Sequence, residues 1–337
     1  MAARGGPTPD WIALARGLTD RAVAGDRRAL ARILTAVENR TPLAEAALRT
    51  LYPLAGKAHL VGITGAPGSG KSTLVAALIA QARASGRAVA VIAVDPSSPI
   101  TGGALLGDRV RMQSHAGDDA VFIRSMASRG HAGGLASTSA AAAAVVDACG
   151  FDLVLIETVG TGQSEIEVAA AADTTVVLEA PEMGDEVQAI KAGLLEVADI
   201  VVVNKGDRPG AQRTASQLRA MLVAVPRAGE RGIGAAVDRP RPKQPEVLVT
   251  TATTGAGLPE LMVAIERHRG SQDGMGSAAA RRARAEAQLW AVMGDRLRAV
   301  LGAPARRGEL DAVLDAVAEH TLDPFSAADR LLEGLQR

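Results

Sequence analysis

Aromatic residues are scarce in this chain of 337 residues: three Phe, two Trp and one Tyr make up only 2% of it, although 47% of the residues are hydrophobic. The core must therefore be built from Ala, Val, Leu and Ile, and the length suffices for one large domain with extensions. Cysteine occurs once, at Cys149. A single cysteine excludes an internal disulfide and fits a reducing compartment, so we expect a cytoplasmic protein.

An excess of charge of either sign is also lacking, because 37 Lys and Arg residues balance 37 Asp and Glu residues. Proteins that bind nucleic acids through their backbone usually carry a basic surplus, so we expect no nucleic-acid partner. The sequence has no apolar run long enough to cross a bilayer, and its first residues lack the apolar core of a signal peptide. We therefore expect no membrane association.

The hydrophobic pattern changes twice along the chain and predicts three regions. Residues 1–58 read as helical, with Asp26 as an N-cap and Leu30, Ile33, Leu34 and Val37 on one helical face. Between 59 and 270, helical segments alternate with apolar runs typical of buried parallel strands, at 59–64, 88–94, 120–124, 152–156, 174–179, 199–203 and 246–250. After a linker at 271–277, residues up to 337 return to helix. The pattern predicts an α/β fold, a doubly wound, mostly parallel sheet flanked by N-terminal and C-terminal helical extensions.

A glycine-rich turn follows the first predicted strand. Its residues fit the pattern G-x-x-x-x-G-K-[ST]: Gly65, Ala66, Pro67, Gly68, Ser69, Gly70, Lys71 and Ser72, followed by Thr73. Backbone N–H groups of such a loop surround a β-phosphate at a helix N-terminus. Lys71 can reach the β- and γ-phosphates, and the Ser72 hydroxyl can bind Mg²⁺. The motif predicts a P-loop nucleotide site, but it does not select a base.

A second motif selects the base. Asn204, Lys205 and Asp207 form the N-K-x-D pattern of guanine-specific GTPases at the end of a predicted strand. The Asp207 carboxylate can accept from guanine N1–H and the 2-amino group, whereas adenine would leave it unmatched. Thr251 and Ala252 follow the next predicted strand, where GTPases place a backbone N–H against guanine O6. We therefore expect GTP and GDP as ligands.

Carboxylates at further strand ends predict a magnesium site next to the phosphates. Glu157 ends a buried strand and is followed by Gly160, in the arrangement of a D-x-x-G motif with glutamate in place of aspartate. The Gly160 N–H can sense the γ-phosphate. Asp95 and Asp108 add two acids, so the candidate Mg²⁺ ligands are Ser72, Asp95, Asp108 and Glu157. Asp108 is the candidate that positions the attacking water, with Gln163 as a competitor.

The segments "AVDPSSPITGGALLGDRVRM", "LIETVGTGQSE", "MGDEVQAIKAG" and "ADIVVVNKGD", with the P-loop, resemble the MeaB/ArgK family of P-loop GTPases over nearly the whole chain. This resemblance implies a G-protein chaperone of an adenosylcobalamin-dependent acyl-CoA mutase, typified by methylmalonyl-CoA mutase. It implies that GTP hydrolysis gates cofactor loading and protects the mutase. It also implies a homodimer built partly through the C-terminal helices, and switch regions near 96–112, 157–165 and 180–191.

Two other classes of protein fit parts of the sequence. A nucleoside or metabolite kinase can open with the same P-loop, but it has no need of the N-K-x-D motif and should carry an acceptor pocket and an arginine-rich lid. A helical scaffold without enzymatic activity would leave the acids at three strand ends unexplained. Base selectivity separates a GTPase from such a kinase.

Overall fold

The computed structural model describes residues 10–95, 115, 117–127, 134–158, 168–181, 197–224, 245–271 and 275–335. Asp108 and Gly160 lie outside these ranges, as do most of the three expected switch regions and Gln163. Asp95 ends a described strand, but its side chain is not described. The chain divides into two compact units, Met1–Ala285 and Glu286–Arg337.

The first unit is built on a seven-stranded sheet in which every neighbouring pair is parallel. Its strands are β1 (His59–Gly65), β2 (Val89–Asp95), β3 (Val121–Ala127), β4 (Leu153–Thr158), β5 (Thr174–Glu179), β6 (Ile200–Val203) and β7 (Glu246–Val249). Their spatial order is β3-β2-β4-β1-β5-β6-β7. All seven apolar runs became strands, so the predicted parallel α/β fold is confirmed. The central position of β1 puts the glycine-rich turn in the middle of the carboxyl edge of the sheet.

The helices of the first unit cover both faces of this sheet. They are α1 (Trp11–Val23), α2 (Arg27–Glu38), α3 (Pro42–Leu51), α4 (Lys71–Ala84), α5 (Gly134–Ala148), α6 (Ala211–Ala224) and α7 (Leu258–Ser271). Side chains alternate along β4: Leu153 and Leu155 pack with α4 and α7, while Val154 and Ile156 pack with α1–α3 and α5. Such alternation buries each strand on both faces, as a doubly wound sheet requires.

The N-terminal helices form as the pattern predicts. Asp26 caps α2, where its Oδ1 accepts from the backbone N–H groups of Arg28 and Ala29 at 2.9 and 3.1 Å. The four predicted apolar residues of α2 are all buried. These helices thus form part of the core of the first unit rather than a separate appendage.

The C-terminal part is helical, with α8 (Met275–Leu301), α9 (Arg307–Ala318) and α10 (Pro324–Leu335). Helix α7 continues to Ser271 and α8 already begins at Met275, so the predicted linker over 271–277 is too long. Glycine and serine lowered the helical propensity of that segment, but the adjoining helices extend through most of it. Among the described residues no helix is both long and apolar enough to cross a membrane.

A chain of polar side chains is buried at the amino edge of the sheet. His59 Nε2 lies 2.8 Å from Thr174 Oγ1, which lies 2.8 Å from His268 Nδ1. His268 Nε2 lies 3.5 Å from the carboxylate of Asp199. Burial lowers the pKa of His59 to about 3, because an imidazolium there would lose its hydration. His59 therefore stays neutral in the folded protein over the physiological pH range.

The buried imidazole of His59 predicts that the folded protein loses stability in mild acid. The pKa of His59 is about 6.5 in the unfolded chain and about 3 in the folded chain. Between these two pH values His59 is protonated only in the unfolded chain, so the unfolded state is favoured as pH falls. At pH 5 this difference amounts to about 2 kcal/mol of lost stability. Urea unfolding at pH 7 and pH 5 measures it. His59→Gln should show a shallower loss than the wild type, and the exposed His320→Asn should not. An unchanged pH dependence in His59→Gln would contradict this origin.

Candidate active site

The glycine-rich turn packs closely on the two strands and loops beside it. Gly65 has a φ of 138° and Gly70 a φ of 96°, in the region that favours glycine. A Cβ on Gly65 would lie 2.1 Å from the carbonyl oxygen of Leu178, and a Cβ on Gly70 would lie 2.4 Å from Asn204 Nδ2. Both glycines are therefore required for this approach, which fixes the turn at the start of α4.

Lys71 is the first residue of α4, and its ammonium group is held over the turn. Its side chain is buried, and Nζ donates to the carbonyl oxygens of Gly65 at 2.8 Å and Ala66 at 3.1 Å. The positive end of the α4 dipole points to the same place. The arrangement concentrates positive potential where the phosphate oxygens of a nucleotide would lie.

Ser72 and Glu157 come together although 85 residues separate them. The Ser72 hydroxyl donates to Glu157 Oε1 at 2.6 Å, and both side chains are buried. Strand β4 lies directly beside β1, with Glu157 paired in register with Ile63, and this pairing brings the carboxylate to the turn. Hydroxyl and carboxylate oxygens are ligands that Mg²⁺ prefers, so this donor pair fits the ion. Asp95 ends β2 on the other side of β4, with Ala93 in register with Glu157.

Asn204 connects three loops at the carboxyl edge. Its Nδ2 donates to the carbonyl oxygen of Ser69 at 3.0 Å. Its Oδ1 accepts from the Ala252 N–H at 3.1 Å and from the Thr250 hydroxyl at 3.3 Å. One amide thus joins the phosphate turn to the loops after β6 and β7. The Ala252 N–H, predicted to face guanine O6, is engaged by this amide in the structure.

Lys205 and Asp207 lie in a tight turn after β6. Lys205 has a φ of 57°, and its Nζ donates to the carbonyl oxygen of Gly68 at 2.7 Å. Its aliphatic stem therefore runs along the cleft towards the phosphate turn. Asp207 is exposed at the end of the turn, and within the described part of the chain its carboxylate makes no hydrogen bond or ion pair. Its oxygens are available to accept from a ligand.

A cleft of about 530 Å³ unites these groups. Such a volume lies in the usual range for small-molecule and cofactor sites. Predicted residues that line it are Pro67, Gly68, Gly70, Lys71, Ser72, Thr73, Glu157, Asn204, Lys205, Asp207, Thr251 and Ala252. Gly65, Ala66 and Ser69 belong to the turn but are not among the residues that line the cleft.

Two further residues line the cleft without having been predicted. Arg208 follows Asp207 directly, and Thr253 follows Ala252. Neither position belongs to a motif, so only adjacency to a predicted residue could have indicated them. Arg208 therefore lies beside Asp207, the residue predicted to accept from the base.

Known proteins with similar sequences include GTPases, in agreement with a nucleotide-binding cleft. The family described as Methylmalonyl Co-A mutase-associated GTPase MeaB matches residues 30–305. A Pyrococcus abyssi protein named as a GTPase is 44% identical over 94% of this chain and 95% of its own length. The mouse protein named Methylmalonic aciduria type A homolog, mitochondrial, is 32% identical over 93% of this chain and 78% of its own.

A solved structure shares the fold. The structure of the LAO/AO transport system kinase superposes with a TM-score of 0.66 at 27% identity and covers 98% of this chain and 100% of its own. Together with the family match over most of the sequence, this likeness confirms the resemblance seen in the motifs. The chain belongs to the MeaB family of GTPases.

Proposed function

We propose that this GTPase is a chaperone of an adenosylcobalamin-dependent acyl-CoA mutase of the methylmalonyl-CoA mutase type. In this role, GTP hydrolysis gates the loading of adenosylcobalamin and protects or reactivates the mutase. The observation that supports the GTPase chemistry most strongly is that one cleft is lined both by the phosphate turn and by Asp207. The mutase partner is supported by the description of the matching family as mutase-associated and by the name of the mouse relative.

In the proposed site, each part of the cleft has a distinct task. Lys71 neutralises charge that develops on the γ-phosphate, and Asp207 accepts from the guanine edge. Ser72 and Glu157 would hold Mg²⁺, with Asp95 and Asp108 as the further acids, and the ion would neutralise β- and γ-phosphate oxygens. Asp108 or Gln163 would orient the water that attacks the γ-phosphate, giving GDP and phosphate.

A metabolite kinase is the competing function, and the cleft does not favour it. Asn204 and Asp207, which match the guanine motif N-K-x-D, both line the cleft. A kinase that uses the same phosphate turn would not need a carboxylate at that place. The word kinase in the name of the solved neighbour describes that protein alone.

We further propose that the protein is a cytoplasmic homodimer that associates through its C-terminal helices. Trp290, Met293, Leu297 and Val300 recur on one face of α8 at spacings of three and four residues and are exposed in the single chain. A stripe with this spacing is typical of a helix that packs against another helix. The single cysteine, Cys149, is free, in keeping with a reducing compartment.

Addition of a cognate mutase tests the chaperone role. We expect slow basal GTP hydrolysis that rises at least about tenfold with the mutase, since partners that complete a GTPase site act on the chemical step. Phosphate release is measured with and without the mutase, and a noncognate acyl-CoA enzyme serves as the control. If neither the rate nor the affinity for GTP changes on addition of any adenosylcobalamin-dependent mutase, the chaperone role fails while the GTPase assignment stands.

A further inference from the structure

Arg208 has no assigned role, yet it lies at the base end of the cleft. Its backbone N–H donates to the carbonyl oxygen of Lys205 at 2.9 Å and closes the turn that also presents Asp207. The side chain is exposed, and within the described ranges it makes no hydrogen bond and no ion pair. A long, planar cation thus stands unpaired next to the carboxylate that is to receive the guanine edge.

The cleft offers no aromatic side chain to a bound base. The unit Met1–Ala285, which contains the cleft, has four aromatic residues, all of them described, and none lines the cleft. Phe122 and Phe151 pair with each other, with ring centroids 6.1 Å apart. The other two, Trp11 and Tyr52, lie in the N-terminal helical region.

A guanine base held by Asp207 at its edge still exposes its two faces. The aliphatic stem of Lys205 runs towards the carbonyl of Gly68 and can cover one of them. The other face needs a flat partner if water is to be excluded. Arginine supplies one, because its guanidinium plane stacks on aromatic rings and is only weakly hydrated.

We propose that Arg208 stacks its guanidinium on the guanine base and so positions the nucleotide for Asp207, in a place where an aromatic side chain is absent. This inference rests on GTP binding in the cleft. Stacking of arginine on a base depends little on which purine is present. Arg208 therefore adds affinity for the base, while Asp207 supplies the selectivity between bases.

Four variants test this role by titration of GDP and of IDP in the presence of Mg²⁺. Arg208→Ala is expected to weaken both ligands by about fivefold to tenfold. Arg208→Lys keeps the positive charge but not the planar guanidinium group, so its affinity for both ligands should be close to that of Arg208→Ala. Arg208→Tyr keeps a plane without charge and should bind within about twofold of wild type. Arg213→Ala is the control, since Arg213 is exposed on α6 and does not line the cleft.

The outcomes separate stacking from simple attraction of the phosphates. The proposal is overturned if Arg208→Ala binds GDP with wild-type affinity. It is also overturned if Arg208→Tyr binds GDP no more tightly than Arg208→Ala, or if Arg208→Lys has wild-type affinity while Arg208→Tyr does not. Repetition at 0.5 M salt, an ionic strength at which the Debye length is roughly 4 Å, should leave the loss in Arg208→Ala intact. A loss that vanishes in salt also contradicts stacking.

Failure of the cleft assignment itself gives a different result. If the wild type binds GDP but Asp207→Asn is unaffected, the base does not lie against the turn after β6, and both assignments fail. If Asp207→Asn loses GDP while Arg208→Ala does not, only the role of Arg208 fails.

Discussion

Replacement of Lys71 by alanine is expected to lower the rate of GTP hydrolysis at saturating nucleotide by at least about a hundredfold. Lys71 is buried at the start of α4, and its Nζ lies within hydrogen-bond distance of two carbonyl oxygens of the phosphate turn. When a triphosphate enters, the ammonium exchanges these carbonyls for phosphate oxygens. Charge on the γ-phosphate then develops beside a fixed cation, and the alanine variant lacks it.

Single-turnover hydrolysis of GTP measures this effect apart from binding and product release. The matched control is Lys57→Ala, because Lys57 has an exposed side chain and lies outside the cleft. Thermal unfolding of both variants checks that each keeps its fold, so that a lost rate reports on the missing cation. A Lys71→Ala variant that hydrolyses GTP at the wild-type rate would exclude Lys71 from the chemistry.

The architecture was predictable because it is encoded locally. Each of the seven strands is a continuous apolar run between helical segments, and a parallel sheet buries such runs on both faces. Once the strands are known, parallel pairing brings their carboxyl ends to one edge. For this reason the sequence alone could predict that Glu157 and Ser72 lie near each other, as their 2.6 Å contact shows.

The remaining features depend on contacts between distant segments that no local pattern reveals. His59, Thr174, Asp199 and His268 form a buried polar chain, but nothing in the sequence relates the two histidines to each other. Asn204 was predicted as part of the N-K-x-D motif, and the structure shows that its Nδ2 joins the base loop to the phosphate turn. Its additional bond to the Ala252 N–H depends on how closely the loops after β6 and β7 approach, which spacing alone does not determine.

Arg208 was not predicted for a different reason. The motif N-K-x-D ends at Asp207, and the motif does not specify which residue follows. The tight turn, closed by the bond from the Arg208 N–H to Lys205, places Arg208 at the cleft. Sequence motifs identify only the residues that they contain, and a residue beside a motif is recognised from the structure.

Replacement of Asp207 by asparagine is expected to change the preferred base rather than to abolish binding. A carboxylate accepts both from guanine N1–H and from its 2-amino group. An asparagine amide offers one acceptor and one donor, and its donor would face the guanine amino group. Xanthine carries a carbonyl oxygen in place of that amino group and so matches asparagine. A mismatch at a hydrogen-bonded base site costs at least about a hundredfold in affinity.

The Asp207→Asn substitution is expected to leave the folded structure unchanged. Asp207 is exposed, and its carboxylate has no partner within the described residues, so its replacement breaks no structural contact. Asparagine has nearly the same shape. Any change in base preference therefore reports on the ligand and not on a disturbed turn.

Parallel titration of GDP and XDP into the wild type and Asp207→Asn is the most direct test that this cleft selects guanine nucleotides through Asp207. The wild type should bind GDP more tightly than XDP by at least about a hundredfold, and the variant should reverse this order. Wild-type protein that binds the two nucleotides equally, or an Asp207→Asn variant that keeps the preference for GDP, would contradict the assignment.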